Sequence, residues 1–548
     1  MIRYVCLALL CAAEVLSAQA PVRLRILAGS FPPAYVEASN YPLELAYPRE
    51  SGTAPIASGN VIPTGSTTAF PSAHRTNKAY PGIALNIAAM AMGGSLPYRW
   101  SLTGAPSGMT ISATTGRITW SNPTTSGSPF AITVSVEDAE ATVESSVWTL
   151  TVTTTGFYFV DGTNDGSGDT GTLASPFDDL EQVYDAVLSE SAILYFRAGT
   201  YTPSGVSAGY INAGGGTGGN DELDASGKPN IWIAYPGESV IYDGLYGTVG
   251  TNNAGVGVAT GDSTYFDGIR FTNVKNKMFT VYGGNYKVFK DLTIDGIQDG
   301  AGGANPGAIM MEAHYGAYDY YMHIVGVAFS DLTGSGTIKA YSQRKWLVEW
   351  CETDGTTAVG MDPKAAIPRY EIRYNHFIGI DLTTQNDKAT VFGNHDPQTG
   401  ASGSHVLIDG EIRFNLFVAT DASDAVVEFG DGLNTGYIYR NTIYGRPWSR
   451  WVTANGSSPA LHAWARNVVI NADSTLPGRV SITLTNTYNP TDSPSTSAYS
   501  NVTVTDHLAG GTGDGIINTT TGALQGAYLT SYGPTTATPR GCDPGMLP

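Results

Sequence analysis

Apolar and polar residues alternate from about residue 80 onward. Phe130 to Val136 and Val147 to Val152 alternate strictly, and Tyr98-Arg99-Trp100-Ser101-Leu102 does so over a shorter run. Thr115-Gly116-Arg117-Ile118-Thr119-Trp120 follows a turn. Successive side chains on a strand face opposite ways, so these runs predict half-buried strands. Strands with turn signals about every 8 to 12 residues predict a β-sandwich over 79–154. Asp178 to Val187 breaks the alternation: Leu180, Val183, Tyr184 and Val187 recur at helical spacing and predict an amphipathic helix. Short β-type runs then succeed one another, among them Ile193 to Phe196, Ile231 to Tyr235, Val240 to Tyr242, Gly268 to Val274 and Val288 to Ile294.

Three of the later runs nearly repeat one another. Glu371-Ile372-Arg373-Tyr374-Asn375-His376-Phe377, Glu411-Ile412-Arg413-Phe414-Asn415-Leu416-Phe417 and Tyr437-Ile438-Tyr439-Arg440-Asn441-Thr442-Ile443 share an asparagine at one place, and Trp464-Ala465-Arg466-Asn467-Val468-Val469 is a weaker copy. The asparagines are 40, 26 and 26 residues apart. A fixed unit with connections of variable length predicts a solenoid over 155–548, each coil stacked on its neighbours. In such a stack Asn375, Asn415, Asn441 and Asn467 are expected to bond the backbone of adjoining coils. Tyr374, Phe377, Phe414 and Phe417 are expected to stack inside it.

Composition agrees. Of 548 residues, 14% are charged and 66 are glycine, against about 25% charged in ordinary globular chains. The net charge of −19 excludes the basic surface of a nucleic-acid binder. Met1-Ile2-Arg3, the apolar run Tyr4 to Ala13 and Ser17-Ala18-Gln19-Ala20 predict a secretory signal peptide over 1–20 and hence a secreted protein, extracellular or periplasmic. Glu14 follows the end of that apolar run. No later run is long enough to insert in a membrane. Residues 21–78, rich in Pro, Ser, Thr and Ala, predict a leader or an irregular β segment. Cys351 and Cys542 would remain in the mature chain, as a disulfide or as two separate thiols.

Two stretches resemble known families. Tyr98 to Trp120, with Gly104-Ala105-Pro106-Ser107-Gly108-Met109-Thr110-Ile111 at its centre, resembles the immunoglobulin-like (cadherin-like) modules of bacterial surface proteins. The resemblance implies a spacer or presentation module. Phe157-Tyr158-Phe159-Val160-Asp161-Gly162, then Gly171-Thr172-Leu173-Ala174-Ser175-Pro176-Phe177 and the helix, resembles the opening of pectate-lyase-like right-handed parallel β-helix proteins. The expected fold is therefore all-β: a right-handed parallel β-helix with an N-terminal immunoglobulin-like β-sandwich, its open end covered by the helix.

Aligning the coils on their asparagines shows where charge gathers. Five consecutive segments ahead of the repeats are polar: Met311-Glu312-Ala313-His314, Ile338-Lys339-Ala340-Tyr341, Met361-Asp362-Pro363-Lys364, Phe392-Gly393-Asn394-His395-Asp396 and Val427-Glu428-Phe429-Gly430-Asp431. Alternation predicts one outward column of Glu312, Lys339, Asp362 and Glu428. A parallel column would hold His314, Tyr341 and Lys364, with Asn394 or Asp396 nearby. Enzymes of the fold this chain resembles cleave uronic-acid polysaccharides by β-elimination, and that resemblance assigns roles. Lys364 is the expected base, with Arg369, Lys339 and His395 as catalytic partners. His314, Tyr341, Asn394 and Trp448 are expected to bind substrate. Asp362, Asp396, Glu428 and Asp431 are oxygen donors for a hard cation such as Ca²⁺. Asp362-Pro363-Lys364 ahead of Ile372 to Phe377 is loosely similar to a K-S-x-x-N-x-x-x-x-N-x-F region of the chondroitinase-B and alginate lyase family, without the serine or the inner asparagine. Hydrolysis by paired carboxylates and a non-catalytic glycan-binding adhesin or surface fibre are the alternatives.

Overall fold

The structure is a computed structural model. It describes residues 41–55, most of 69–203, and beyond these chiefly the sheet strands and the short corners between them as far as 510. Almost all of the regular structure is β. The chain travels through three sheets in rotation, each visit laying a strand beside the one before it. Among the described residues the first sheet has 12 strands and the second 11, all parallel. The third has 9 strands, parallel except where Ile211–Ala213 meets Asp221–Asp224.

The corner from the first sheet to the second recurs with one geometry. Two residues separate Asp267 from Arg270, Lys290 from Thr293, Arg373 from His376 and Arg413 from Leu416. The first of the two has a left-handed backbone: Gly268 (φ 73°), Asp291 (52°), Gly326 (67°), Trp350 (57°), Tyr374 (57°), Phe414 (60°) and Arg440 (53°). Such backbones cost a side-chain-bearing residue free energy, so the stacking around each corner must compensate. The left-handed residue splits what the sequence presents as single strands. Gly268 to Val274, Val288 to Ile294 and each asparagine repeat contain two strands belonging to different sheets.

The second corner residue is Ile269, Leu292, Val327, Cys351, Asn375, Asn415 or Asn441, and all are buried. Where it is asparagine, a ladder forms as expected. Asn375 Nδ2 donates to Asn415 Oδ1 and Asn415 Nδ2 to Asn441 Oδ1, both at 2.9 Å, and Asn415 Nδ2 also reaches the Ile372 carbonyl at 2.8 Å. The Asn375 and Asn415 amides donate along the same ladder at 3.0 Å. Cys351 ends it, its amide donating to Asn375 Oδ1 at 2.9 Å. Its thiol is free and buried; Cys542 and Asn467 lie outside the described residues. Asn415→Ala removes the middle rung and strands buried donors and acceptors on both sides. We expect a loss of about 2–4 kcal/mol, read as a lower denaturant midpoint. An unchanged midpoint would mean the ladder is ornamental.

The interior of the coils is apolar, joining Leu194, Trp232, Phe266, Phe289, Ile324, Trp346, Ile372, Phe377 and Phe417. Phe377 and Phe417 stack at 6.0 Å inside, as expected. Tyr374 and Phe414 do not: as corner residues they project from the opposite side. The helix runs Leu180–Asp185, shorter than Asp178 to Val187, because Asp179 caps it by accepting the Gln182 amide at 2.9 Å and Ala186 is already extended. Leu180, Val183 and Tyr184 are buried on the first coils, covering that end of the stack.

The N-terminal module is a sandwich of Leu85–Ala88, Met109–Ile111 and Arg117–Trp120 against Arg99–Thr103, Phe130–Glu137 and Val143–Val152. Its core joins Leu85, Ile87, Ile118, Trp120, Ile132 and Trp148. Glu44–Tyr47, inside the 21–78 stretch, pairs antiparallel with Met90–Met92. This ribbon lies between the sandwich and the outer face of the first sheet, with Met90 and Tyr47 against Ile193, Tyr195, Tyr265 and Leu347. The module is thus seated along the coils. The first-sheet strands Lys287–Lys290, Met322–Val325, Lys345–Glu349 and Arg369–Arg373 are buried on both faces and have no exposed residue.

Candidate functional site

The third sheet differs from the other two in how it is connected. Two residues join first-sheet strands to second-sheet strands, but 13 residues lie between Ile378 and Phe392, and 15 between Asn394 and Gly410. Long connections thus flank Phe392–Asn394, whereas only three to six residues join Gly336–Tyr341 and Val359–Lys364 to the strands before and after them. The five polar segments fall on five consecutive strands here: Gly307–Glu312, Gly336–Tyr341, Val359–Lys364, Phe392–Asn394 and Val427–Phe429.

The register of these strands fixes which positions are neighbours. Met310, Lys339 and Asp362 lie in one row, and Glu312, Tyr341 and Lys364 in another two positions along, on the same face. Glu312 is thus a row-mate of Tyr341 and not of Lys339, because Gly307 pairs with Gly336 and sets the count. Met361 pairs with Phe392 and Gly393 with Glu428, which carries the Lys339–Asp362 row through Gly393 to Glu428. Asn394 pairs with Phe429. Adjacent rungs are about 4.8 Å apart, so Lys339 with Asp362, and Tyr341 with Lys364, are nearest cross-strand neighbours. Ile309, Ile338 and Met361, one step along each strand, are fully buried in the interior. His314, His395, Asp396, Asp431 and Trp448 lie outside the described residues.

Arg369 is not brought to this sheet. It begins the first-sheet strand Arg369–Arg373, is 2% exposed, and lies 4.1 Å from the centre of the Tyr41 ring. Burial against the N-terminal segment, and not proximity to Lys364, defines its environment.

The sequence reading passed over the Glu-x-Arg pair in two of the repeats. These residues form the most heavily charged buried cluster among the described residues, on the seam with the N-terminal module. Glu371 Oε1 receives Arg373 Nη1 at 2.7 Å and Arg413 Nε at 3.0 Å, and its Oε2 receives the Gly93 amide at 3.0 Å. Arg373 donates to the Ala91 carbonyl and Arg413 to the Gly94 carbonyl, both at 3.0 Å. Burial alone would raise the Glu371 pKa, but Arg373, Arg413 and Arg369 outweigh it and hold it down to about 2. Arg373 continues to Glu349 at 2.7 Å, and Glu349 to His323 Nε2 at 2.9 Å. His323 Nδ1 meets the Tyr47 hydroxyl at 2.6 Å. Lys345 donates to both Glu44 oxygens, at 2.7 and 2.6 Å. Arg117 grips both oxygens of Asp291, whose pKa the paired cations Lys290 and Arg117 lower against the effect of burial. Outside this network, Trp350 meets Tyr374 edge-on at 5.0 Å, Tyr374 meets Phe414 at a tilt at 5.6 Å, and Arg440 covers Phe414 at 4.7 Å. This cluster has the character of a structural interface. Its central charges, Glu371, Arg373, Arg413 and Glu349, are paired and buried, and a cavity beside them, lined by Tyr98, Trp100, Glu349, Trp350 and Arg373, has room for about one water. The candidate site remains the third sheet.

Comparison with known proteins places one part of the chain. Residues 62–153 match the family model described as Putative Ig domain (He_PIG), in agreement with the sandwich. No curated relative matches the chain in sequence. Among solved structures, a rhamnogalacturonan lyase aligns with a TM-score of 0.41 at 15% identity, over 64% of this chain and 87% of that one. A putative alpha-galactosidase from Bacteroides fragilis aligns with a TM-score of 0.15 at 12% identity, over 33% and 50%. Neither alignment is close enough to carry an argument.

Proposed function

We propose that the three sheets close into a right-handed parallel β-helix and that the chain is a secreted carbohydrate-active enzyme. Its third sheet would bind an acidic, uronic-acid-containing polysaccharide and cleave it by β-elimination. The observation that carries this reading is the register of the third sheet, which sets Lys339 beside Asp362 and Lys364 beside Tyr341 on adjoining rungs. In a chain with 14% charged residues, two such pairs on adjoining strands of one sheet are a concentration of chemistry.

The residues divide the reaction between them. Lys364 takes the proton next to the substrate carboxylate. Lys339 lies diagonally across from it, and a like charge so near favours the neutral, basic form of Lys364. Tyr341, the row-mate of Lys364, is the group to hold the leaving oxygen. The C–O bond to the leaving sugar breaks as the C=C bond forms, and the proton taken by the base returns to the leaving oxygen. His314, Asn394 and Trp448 bind sugar, and His395 assists proton transfer. Ca²⁺, if bound, would neutralise the substrate carboxylate. Asp362 and Glu428, in one row with a glycine between them, are a hard-oxygen donor set that suits it, and Asp396 and Asp431 would add donors.

Incubation with alginate, pectate and glycosaminoglycans should raise the ultraviolet absorbance of an unsaturated uronate. A chelator should slow that rise by about tenfold or more, with recovery on adding Ca²⁺. A rate indifferent to chelator would remove the cation from this reading. The second reading, hydrolysis, draws on Asp362 and Glu428, which are two rungs or about 9.6 Å apart, near the spacing that admits a water between paired carboxylates. New reducing ends without unsaturation would favour it. Binding with neither signal would leave a glycan-binding adhesin.

A further inference from the structure

Two buried histidines face each other's modules across the seam. His74, from the N-terminal module, is fully buried in a cage of rings: Phe70 at 4.8 Å, Tyr47 at 5.1 Å, Tyr265 at 6.0 Å and Tyr286 at 6.3 Å. Tyr265 and Tyr286 belong to the first-sheet side. Nδ1 of His74 faces the Thr76 hydroxyl at 2.8 Å, and the charged neighbour is Arg75. His323 lies on the first-sheet strand Met322–Val325 and is also fully buried, bridging Tyr47 Oη and Glu349. The charged groups around it are Glu349 on the next strand, Arg373 one strand further and Arg117 from the sandwich. Both imidazoles are buried only because the two modules meet; separation would wet both.

We propose that this seam is an acid-released latch, closed when His74 and His323 are neutral and opened when they take up protons. The cages favour the neutral ring. For His74 nothing in contact is acidic. For His323 the neutral form satisfies both nitrogens, Nε2–H donating to Glu349 and Nδ1 accepting the Tyr47 hydroxyl. The directions agree. Burial pushes His74 down to about 3, and burial lowers His323 despite its bond to Glu349. The sign follows. A histidine with a depressed pKa in the closed state adds stability that is complete above its free pKa of about 6.5, and this is lost as pH falls below that value. Each histidine then weakens docking by up to about tenfold per pH unit. Glu371 holds its charge over this range, being protonated only toward about 2.

The test is hydrogen exchange on the full chain from pH 8 to pH 4.5, with rates corrected for intrinsic pH dependence. The expected result is lost protection in the ribbon Glu44–Tyr47 and Met90–Met92 as pH falls below about 6.5, while Met322–Val325, bonded to a strand on each side, and the Asn375 and Asn415 corners stay protected. The double variant His74→Phe, His323→Gln should remain closed to about one to two pH units lower. Wild type closed at pH 4.5, simultaneous loss of protection at seam and corners, or the same midpoint in the double variant would each overturn the latch. If the double variant does not fold, nuclear magnetic resonance titration of the wild-type imidazoles decides. Both rings should stay neutral below pH 6 in the closed state, and a normal titration of both would overturn the proposal.

Discussion

Glu371→Ala should destabilise the chain by about 3–5 kcal/mol, the range for removing one partner of a buried charge cluster. Glu371 is 0% exposed and is the acceptor shared by Arg373, Arg413 and the Gly93 amide. Arg373 keeps Glu349 at 2.7 Å after the change, and Arg413 keeps the Gly94 carbonyl at 3.0 Å and Glu411 at 3.4 Å. The loss falls on both cations, since Arg413 gives up its Nε and Nη2 bonds to Glu371 Oε1 and Arg373 its Nη1 bond. The double variant Glu371→Leu, Arg413→Met should cost less than Glu371→Ala alone, since it removes the charge and its counter-charge together. Denaturant midpoints with slopes held constant give the comparison. A single variant within about 1 kcal/mol of wild type would show that the cluster is dispensable. The pH dependence is a separate check. A carboxylate held below its usual 4.5 at about 2 contributes fully above 4.5 and loses that contribution as pH falls toward 2, so the wild-type advantage over Glu371→Ala should persist at pH 5.

The second large effect is catalytic. Lys364→Ala is expected to lower the rate of unsaturated product formation by about 10²–10⁴-fold, the usual contribution of a general base. The loss should appear in kcat with KM little changed, because proton abstraction belongs to the transition state. The denaturant midpoint should not move. Lys339→Ala should act through Lys364 and shift the rising limb of the pH–rate profile to higher pH, since removing a like charge lets Lys364 hold its proton more strongly. A Lys364→Ala enzyme with wild-type kcat would remove the base assignment.

Much of this arrangement is visible in the sequence, and the failures have definite causes. The asparagine spacing aligned the coils, and that alignment placed five polar segments on five consecutive strands of one sheet. Strict alternation marked Phe130–Glu137 and Val143–Val152, and the Leu180, Val183, Tyr184 stripe marked the covering helix. Alternation failed at the corners. A single left-handed residue such as Tyr374 or Phe414 belongs to neither flanking strand, so counting through it assigns the wrong face, and both rings were expected inside. The row of Glu312 was misplaced for a similar reason: a motif alignment does not specify the pairing that Gly307 and Gly336 set. The seam was invisible because its partners are far apart in the chain. Glu371 meets Gly93 across 278 residues and Lys345 meets Glu44 across 301. A Glu-x-Arg on a strand looks like a solvated face until the covering module is known. Arg369 was drawn to Lys364 by closeness in sequence, although the strand it begins belongs to another sheet.

The most direct test of the proposed chemistry is the mass of the fragments released from a uronic-acid polysaccharide. Elimination predicts that one fragment of every cleaved pair is lighter by one water than its hydrolytic counterpart, and that this species is lost in Lys364→Ala. Cleavage giving only fully hydrated fragments would contradict β-elimination and assign the third sheet to hydrolysis.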